Sequence, residues 1–407
     1  MIRKKFAPGA RALAAAAALC WLACSCAPAA AQLAPFDRDN ARAMLDAVRD
    51  DLRKNYYDPA LRGMDLEARL RAAEERLKQA QTRDQLMLVV AQVLLDLNDS
   101  HTFLLPPPRA ASVEYGWRMK MYGDECRVEA VKPKSHAEAA GLKVGDRVLS
   151  VDGFRPTREN LWKMYYRYYG LAPARSVRLA VQSPGAGAAR EIEVNAKIEQ
   201  GAVVSDWEGI FSRSRREGWD VDHDRFYESG ADLLVWQMPT FAVEPEHVDA
   251  IMGRARKYKT LVLDLRGNGG GFVVSLERLV GHLFDREVKV ADLKGRKEMK
   301  PVLAKPRGGS PFKGQLVVLV DADSASASEL LARVVQLEKR GIVLGDRTSG
   351  SVMTAKHFPH QTGVGSVLYF GASVTVADII MADGKSLEHA GVAPDEVLLP
   401  TGADLAA

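Results

Sequence analysis

The stretch Thr260-Leu-Val-Leu-Asp264-Leu265-Arg266-Gly267-Asn268-Gly269-Gly270-Gly271 decides the fold of this chain. Its first half is apolar on both faces, as in a strand covered from above and below in a parallel sheet. Its second half is a glycine run, and a helix is expected to follow to about Phe284. Gln315-Leu-Val-Val-Leu-Val320 repeats the design. It runs into Asp321-Ala-Asp-Ser324-Ala-Ser326-Ala-Ser328-Glu329 and a second helix expected to about Lys339. Gly341-Ile-Val-Leu-Gly345 begins a third unit. Strand and helix in alternation predict α/β architecture from about 230 to 400.

Chemistry is expected at these strand-to-helix junctions, because a helix N-terminus offers free amides and the positive end of its dipole. Ser326 lies at one junction. Locally, Ser326-Ala-Ser-Glu329 also reads as a capping box. The glycine run lacks the Gly-Lys-Ser/Thr ending of a nucleotide loop and the spacing of a dinucleotide fingerprint. Consecutive glycine amides suit an oxyanion better.

Working outward toward the N-terminus, Ser135-His-Ala-Glu-Ala-Ala-Gly141-Leu-Lys-Val-Gly145-Asp146-Arg-Val148-Leu-Ser-Val151-Asp152-Gly153 predicts a short helix, a turn, a strand and a hairpin. It resembles a PDZ domain within a β-rich part over 113–198. That family adds an extended peptide to a sheet edge, and Gly116, Trp117 and Arg118 stand where it cradles a terminal carboxylate. The usual second glycine is replaced by Arg118, so the carboxylate pocket is expected to be altered. Residues 106–112 are proline-rich and read as a linker, and 183–190 as a hairpin tip. Over 36–105 helices are expected. Ala41, Leu45, Val48 and Leu52 recur at helical spacing, as do Leu66, Leu70, Ala73 and Leu77, and Thr82 to Gln85 form a capping box before Leu86, Val89, Val93 and Leu97.

Residues 1–31 begin with Arg3, Lys4, Lys5 and Arg11, pass through an apolar stretch from Ala12 to Ala23 and end in Ala29-Ala-Ala31. That order predicts a cleaved signal peptide and a periplasmic or secreted chain. The apolar stretch is shorter than the roughly 20 residues of a membrane span. Cleavage would remove Cys20, Cys24 and Cys26 and leave Cys126, so no intrachain disulfide is expected. Acylation at Cys24 or Cys26 is the weaker alternative, since the residues ahead of each suit a lipoprotein site poorly. The whole chain holds 56 Lys and Arg against 52 Asp and Glu. The leader's four basic residues account for that excess, and a neutral remainder argues against nucleic acid or a polybasic anchor. With 47% hydrophobic and 27% charged residues over 407 positions, the chain is globular rather than disordered.

Four motifs now stand in order: the Leu263–Gly271 run, Ser324-Ala-Ser326-Ala-Ser328-Glu329, Gly345-Asp-Arg-Thr348-Ser-Gly350, and Asp383-Gly384 through Glu388-His-Ala-Gly391-Val-Ala-Pro394-Asp395. Together with the PDZ-like part they resemble the C-terminal-processing (tail-specific) serine peptidases, which include the tricorn-protease core. The resemblance implies a crotonase-like peptidase core over about 199–400, no cofactor, a polypeptide substrate and a nucleophile at Ser326. The better-known branch places a lysine base directly after the Thr-x-Gly motif, but Ser351 holds that position. The tricorn-like branch uses a Ser-His pair ahead of the PDZ domain and a glutamate in the last motif. Ser100-His101 and Glu388 match those positions. A serine hydroxyl needs a neighbouring base, histidine titrates in the right range, and a carboxylate, directly or through a hydroxyl, orients the ring. The expected site is therefore Ser326, His101, Ser100 and Glu388, with backbone amides at Gly270 and Ala327 as the oxyanion hole.

Three alternatives remain at this level: a Ser-Lys peptidase using Lys356, a non-catalytic binding protein on the same scaffold, and a PDZ scaffold whose α/β part serves assembly only. The remaining motifs carry less. His357 and His360 lack the further ligands of a zinc site. Asp220, Asp222 and Asp224 lack the glycine and glutamate of a calcium loop. Residues 212–216 read as a solvated loop and His136 as a surface residue. Cys126 reads as a sheltered thiol, and the aromatic run Trp162, Tyr165, Tyr166, Tyr168 and Tyr169 chiefly as core.

Overall fold

The computed structural model describes residues 33–204, 223–307, 310–363 and 367–407. The leader over 1–31, residues 212–216, Asp220 and Asp222 lie outside the described residues.

The decisive stretch forms the strand Thr260–Asp264, paired in parallel with Gln315–Val320 and with Leu233–Gln237. Ile342–Gly345 and the short Glu396–Val397 extend the sheet in the same sense, and Arg225–Ser229 closes its other edge antiparallel. Alternate residues of these strands, among them Leu261, Leu263, Leu316 and Val318, are buried. Helices Pro245–Ala255, Val273–Leu283 and Ala327–Leu337 cover the sheet and complete one hydrophobic core with it. A second, antiparallel sheet is built on the long strand Leu368–Met381, which pairs with Phe103–Leu105, Met353–Thr362 and Val288–Gly295. One end of that strand, at Ile379 and Met381, joins the α/β core.

The other end, at Phe370, Ala372 and Val374, joins the core of the N-terminal helices Pro35–Asn55, Leu66–Gln79 and Arg83–Leu95. Most of the apolar positions read from their sequence are buried, including Leu45, Val48, Leu52, Leu70 and Leu77. Asp65 and Thr82 cap the second and third helices through Ala68 N and Gln85 N. The expected helical part thus shares a sheet with the C-terminal half of the chain.

Residues 117–195 form a five-stranded antiparallel sheet in sequence order, with its own core. The short helix His136–Ala139 lies where the sequence puts it, and so does the turn at Asp152 and Gly153, two residues with positive φ. The proline-rich stretch is a correction. Only its first residues are irregular, and Arg109–Glu114 pairs with Lys197–Val204 as a ribbon that leads into and out of the domain. Cys126 is buried, and burial pushes its thiol pKa up. Tyr166 and Tyr168 are core residues of two different bodies. No helix among the described residues is long and apolar enough to cross a membrane.

Candidate active site

Ser326 stands one residue before the helix Ala327–Leu337 with φ 55° and ψ −116°. Positive φ in a residue with a Cβ is strained and marks a built feature. The capping reading is overturned in its main part. The Glu329 amide donates to the Ser326 carbonyl oxygen at 2.9 Å, so the hydroxyl does not cap the helix. Among the described residues Ser326 Oγ has no hydrogen-bond partner, and the side chain is half-buried. The glutamate does reach back, with Ser326 N donating to Glu329 Oε2 at 3.1 Å.

Glu329 does more than a capping residue. Its carboxylate also accepts from Thr348 Oγ1 at 2.6 Å, Gly350 N at 2.8 Å and Ser351 N at 2.9 Å. It is fully buried with no cation paired to it among the described residues. Burial raises its pKa to about 7, against the pull of those donors.

The second half of the site comes from the far end of the sequence. Glu388 Oε2 accepts from Ser100 Oγ at 2.9 Å, and Oε1 from Ser100 N at 2.7 Å. Ser100 Oγ lies 2.7 Å from His101 Nδ1. Since the hydroxyl gives its single proton to the carboxylate, Nδ1–H must be the donor to Ser100. That fixes the neutral tautomer and leaves Nε2 with its lone pair, as a general base requires. Desolvation lowers the His101 pKa below its ordinary 6.5, while Glu388 and Asp99 pull the other way.

The loop carrying this pair is braced on all sides. Buried Asp99 accepts from His101 N at 3.0 Å, Thr102 N at 2.7 Å and Thr375 Oγ1 at 2.8 Å. Asn98 O accepts from His389 Nε2 at 2.8 Å and Arg62 at 3.0 Å, and Ser373 Oγ donates to His101 O at 2.7 Å.

The two halves meet on consecutive residues. Ser326 N donates to Ser351 O at 3.0 Å, and Val352 N donates to Glu388 Oε2 at 2.9 Å. Ser351, which follows the Thr-x-Gly motif in place of a lysine, contributes its backbone. Its hydroxyl bonds Ser349 Oγ at 2.8 Å. No hydrogen bond joins His101 to Ser326 among the described residues.

Gly270 needs a correction. Its amide donates to Asn268 Oδ1 at 2.8 Å and is not open to an oxyanion. The residue is needed for clearance instead: a Cβ there would lie 2.7 Å from Ser326 Cβ and 3.1 Å from Ala327 N. The next amide, Gly271 N, and that of Ala327 have no acceptor among the described residues, so these two are the candidate donors. Lys356 is exposed on Met353–Thr362, and its ammonium makes no hydrogen bond or ion pair among the described residues. His360 is tied to Asp51 at 2.6 Å, and Asp224 bonds His247. His136 is tied to Asn195, with Asn195 N donating to its Nδ1 at 3.1 Å.

In the domain over 117–195, the strand Trp117–Tyr122 lies at the sheet edge, where a peptide would add. Tyr165 occupies that edge. Met119 N donates to its hydroxyl at 2.9 Å, and the hydroxyl donates to Met119 O at 2.7 Å. Gly116 has φ 73° and leaves no room for a Cβ, which would lie 2.5 Å from Ser135 Cβ; Trp117 is buried, and Arg118 pairs with Glu129 at 3.0 Å. Sequence reasoning missed Glu329, Asp99, Asn268 and Gly271. Their signal was adjacency to the motif residues, and only the fold shows what each one holds.

Residues 232–398 match the pattern of Peptidase family S41, and 127–159 that of a PDZ domain. A carboxyl-terminal-processing protease of Picosynechococcus is 27% identical over 330 residues, covering 78% of this chain and 74% of the relative. A tricorn protease homolog of Streptomyces coelicolor is 32% identical over 148 residues, 36% of this chain and 11% of that one. Among solved structures, mature CPAF complexed with lactacystin superposes with a TM-score of 0.68 over 91% of this chain and 95% of its own, at 15% identity. That likeness is one of fold.

Proposed function

We propose that this chain, a serine peptidase of family S41 with a PDZ domain, cleaves extended polypeptides with Ser326 as nucleophile, His101 as base, and Ser100 with Glu388 orienting the base. The hydrogen-bonded chain Glu388–Ser100–His101, assembled from residues 288 apart, carries this reading. It favours histidine over Lys356, which is exposed on its strand.

In this mechanism Ser326 Oγ attacks the scissile carbonyl carbon while His101 Nε2 takes the hydroxyl proton. The carbonyl oxygen, now an oxyanion, is held by the amides of Ala327 and Gly271. Glu388, through Ser100, stabilises the imidazolium. The C–N bond breaks as His101 passes its proton to the leaving amine, and the acyl group stays on Ser326. Water then attacks the ester carbonyl, giving a proton to His101. Ester cleavage returns that proton to Ser326 Oγ and frees the new carboxyl terminus. Tyr165 on the PDZ edge supports gating over strand capture as that domain's part. The composition of residues 1–31 supports an exported enzyme.

Fluorophosphonate labelling of residues 32–407 tests this reading. Labelling is expected in the wild type and lost in both Ser326→Ala and His101→Ala. Its rate should rise with pH along a limb below 6.5, because burial lowers the base's pKa. Labelling that survives His101→Ala would remove histidine as the base.

A further inference from the structure

We propose that Lys120, on the PDZ domain, is a positioning residue for the peptidase site, holding through Asp321 the loops that carry the oxyanion amides and the nucleophile. The inference rests on Ser326 as nucleophile.

Lys120 lies on the strand Trp117–Tyr122 and is only 6% exposed. Its ammonium meets Asp321 at 2.5 Å, Asp323 at 3.3 Å and Glu129 at 3.5 Å. Glu129 belongs to the PDZ domain, but Asp321 and Asp323 belong to the peptidase core and directly precede Ser324-Ala-Ser326. Burial opposes the lysine's charge, and the three carboxylates outweigh it, holding the pKa well above the ordinary value.

Asp321 uses its two oxygens differently. Oδ1 accepts from Gly267 N at 3.0 Å, Asp323 N at 2.9 Å and Ser324 N at 3.1 Å. It thereby stitches the head of the glycine loop to the head of the nucleophile loop. Oδ2 faces Lys120. No other Lys, Arg or His pairs with Asp321 among the described residues. An anion only 13% exposed and set against a buried lysine needs that counterion, or it takes up a proton or turns toward water. Either change releases the stitch two residues from Ser326 and four from Gly271. Other bonds between the two loops remain, including Ala325 N to Asn268 O at 3.0 Å and Ser324 Oγ to Leu265 O at 2.8 Å. The expected result is displacement of the donors, not collapse. Arg158 holds the PDZ domain separately, on Asp346 at 2.5 Å and Arg347 O at 2.9 Å. With Tyr165 on the module's edge strand, the PDZ domain acts here as a brace for the catalytic loops.

The test compares wild type, Lys120→Met and Lys120→Met/Asp321→Asn in residues 32–407. It reads kcat and KM on an internally quenched peptide, fluorophosphonate labelling of Ser326 and thermal melting. The Asp321→Asn change keeps a carbonyl oxygen for Gly267 and Ser324 without a charge to neutralise. Lys120→Met is expected to lower kcat and labelling roughly 10- to 100-fold, the scale of a small misplacement, with KM nearly unchanged. The double variant should recover most of that loss. A folded Lys120→Met that labels at the wild-type rate overturns the inference alone. So does a folded double variant without recovery, which also decides the matter if Lys120→Met does not fold. A wild type that does not label overturns the nucleophile reading and this inference with it.

Discussion

Glu329 is the residue whose environment most constrains the site. Four donors converge on a carboxylate sealed from water with no cation paired to it among the described residues. Its pKa of about 7 in the fold lies above the 4.5 of an unburied glutamate. Between those values the folded state holds a proton that the unfolded chain has lost, so stability falls as pH rises from about 4.5 to about 7. The span corresponds to roughly 3 kcal/mol. Glu329→Gln, neutral throughout, should flatten this part of the stability profile while lowering kcat, because the amide nitrogen offers no acceptor to Ser326 N or Ser351 N. Urea unfolding at pH 5 and pH 8 checks it, and equal pH dependence in variant and wild type would refute the assignment. On the proposed mechanism, activity below pH 6.5 is expected to fall for a different reason, since protonation of His101 Nε2 would remove the base.

At the scale of elements, the site is the meeting of two strand-to-helix junctions in neighbouring parallel strands. The strand Thr260–Asp264 delivers the glycine loop and Gln315–Val320 delivers Ser326. Both loops can approach only because Gly270 has no side chain and sits at φ 98°. Gly270→Ala would press a methyl against Ser326 Cβ and the Ala325 carbonyl. The expected cost is about 1–3 kcal/mol of stability and a loss of labelling by about 10²-fold, as one oxyanion donor shifts. A folded Gly270→Ala enzyme with normal labelling would mean the loops do not touch as described. The motif order was enough to place these two junctions. The free hydroxyl of Ser326 was not legible, because a capping box and a nucleophile elbow share the letters Ser-x-x-Glu and differ only in which oxygen takes the Glu329 amide.

At the scale of the whole molecule, the proposed catalytic groups are drawn from nearly the full length of the chain. His101 follows the N-terminal helices, Ser326 lies in the α/β core, and Glu388 lies near the C-terminus. Strand Leu368–Met381 carries the helices at one end and the α/β core at the other, so the proposed base is tied to the proposed nucleophile through one element. A chain restricted to 223–407 would lack the base and bare the apolar Phe370, Ala372 and Val374. It is expected to give no labelling and to aggregate. A soluble, labelled fragment would show that the N-terminal part supplies neither.

The sequence alone determined the α/β core, the PDZ-like insertion and the helical N-terminal part, since apolar periodicity, glycine turns and ordered motifs are local properties of the chain. Tertiary structure alone decided which groups are free. It gave the Gly270 amide to Asn268, left Gly271 open, joined Ser100 to Glu388 across 288 positions and set Lys120 against Asp321. Hydrogen bonds and ion pairs between distant segments depend on how the layers stack, and no spacing of residues along the chain encodes them directly.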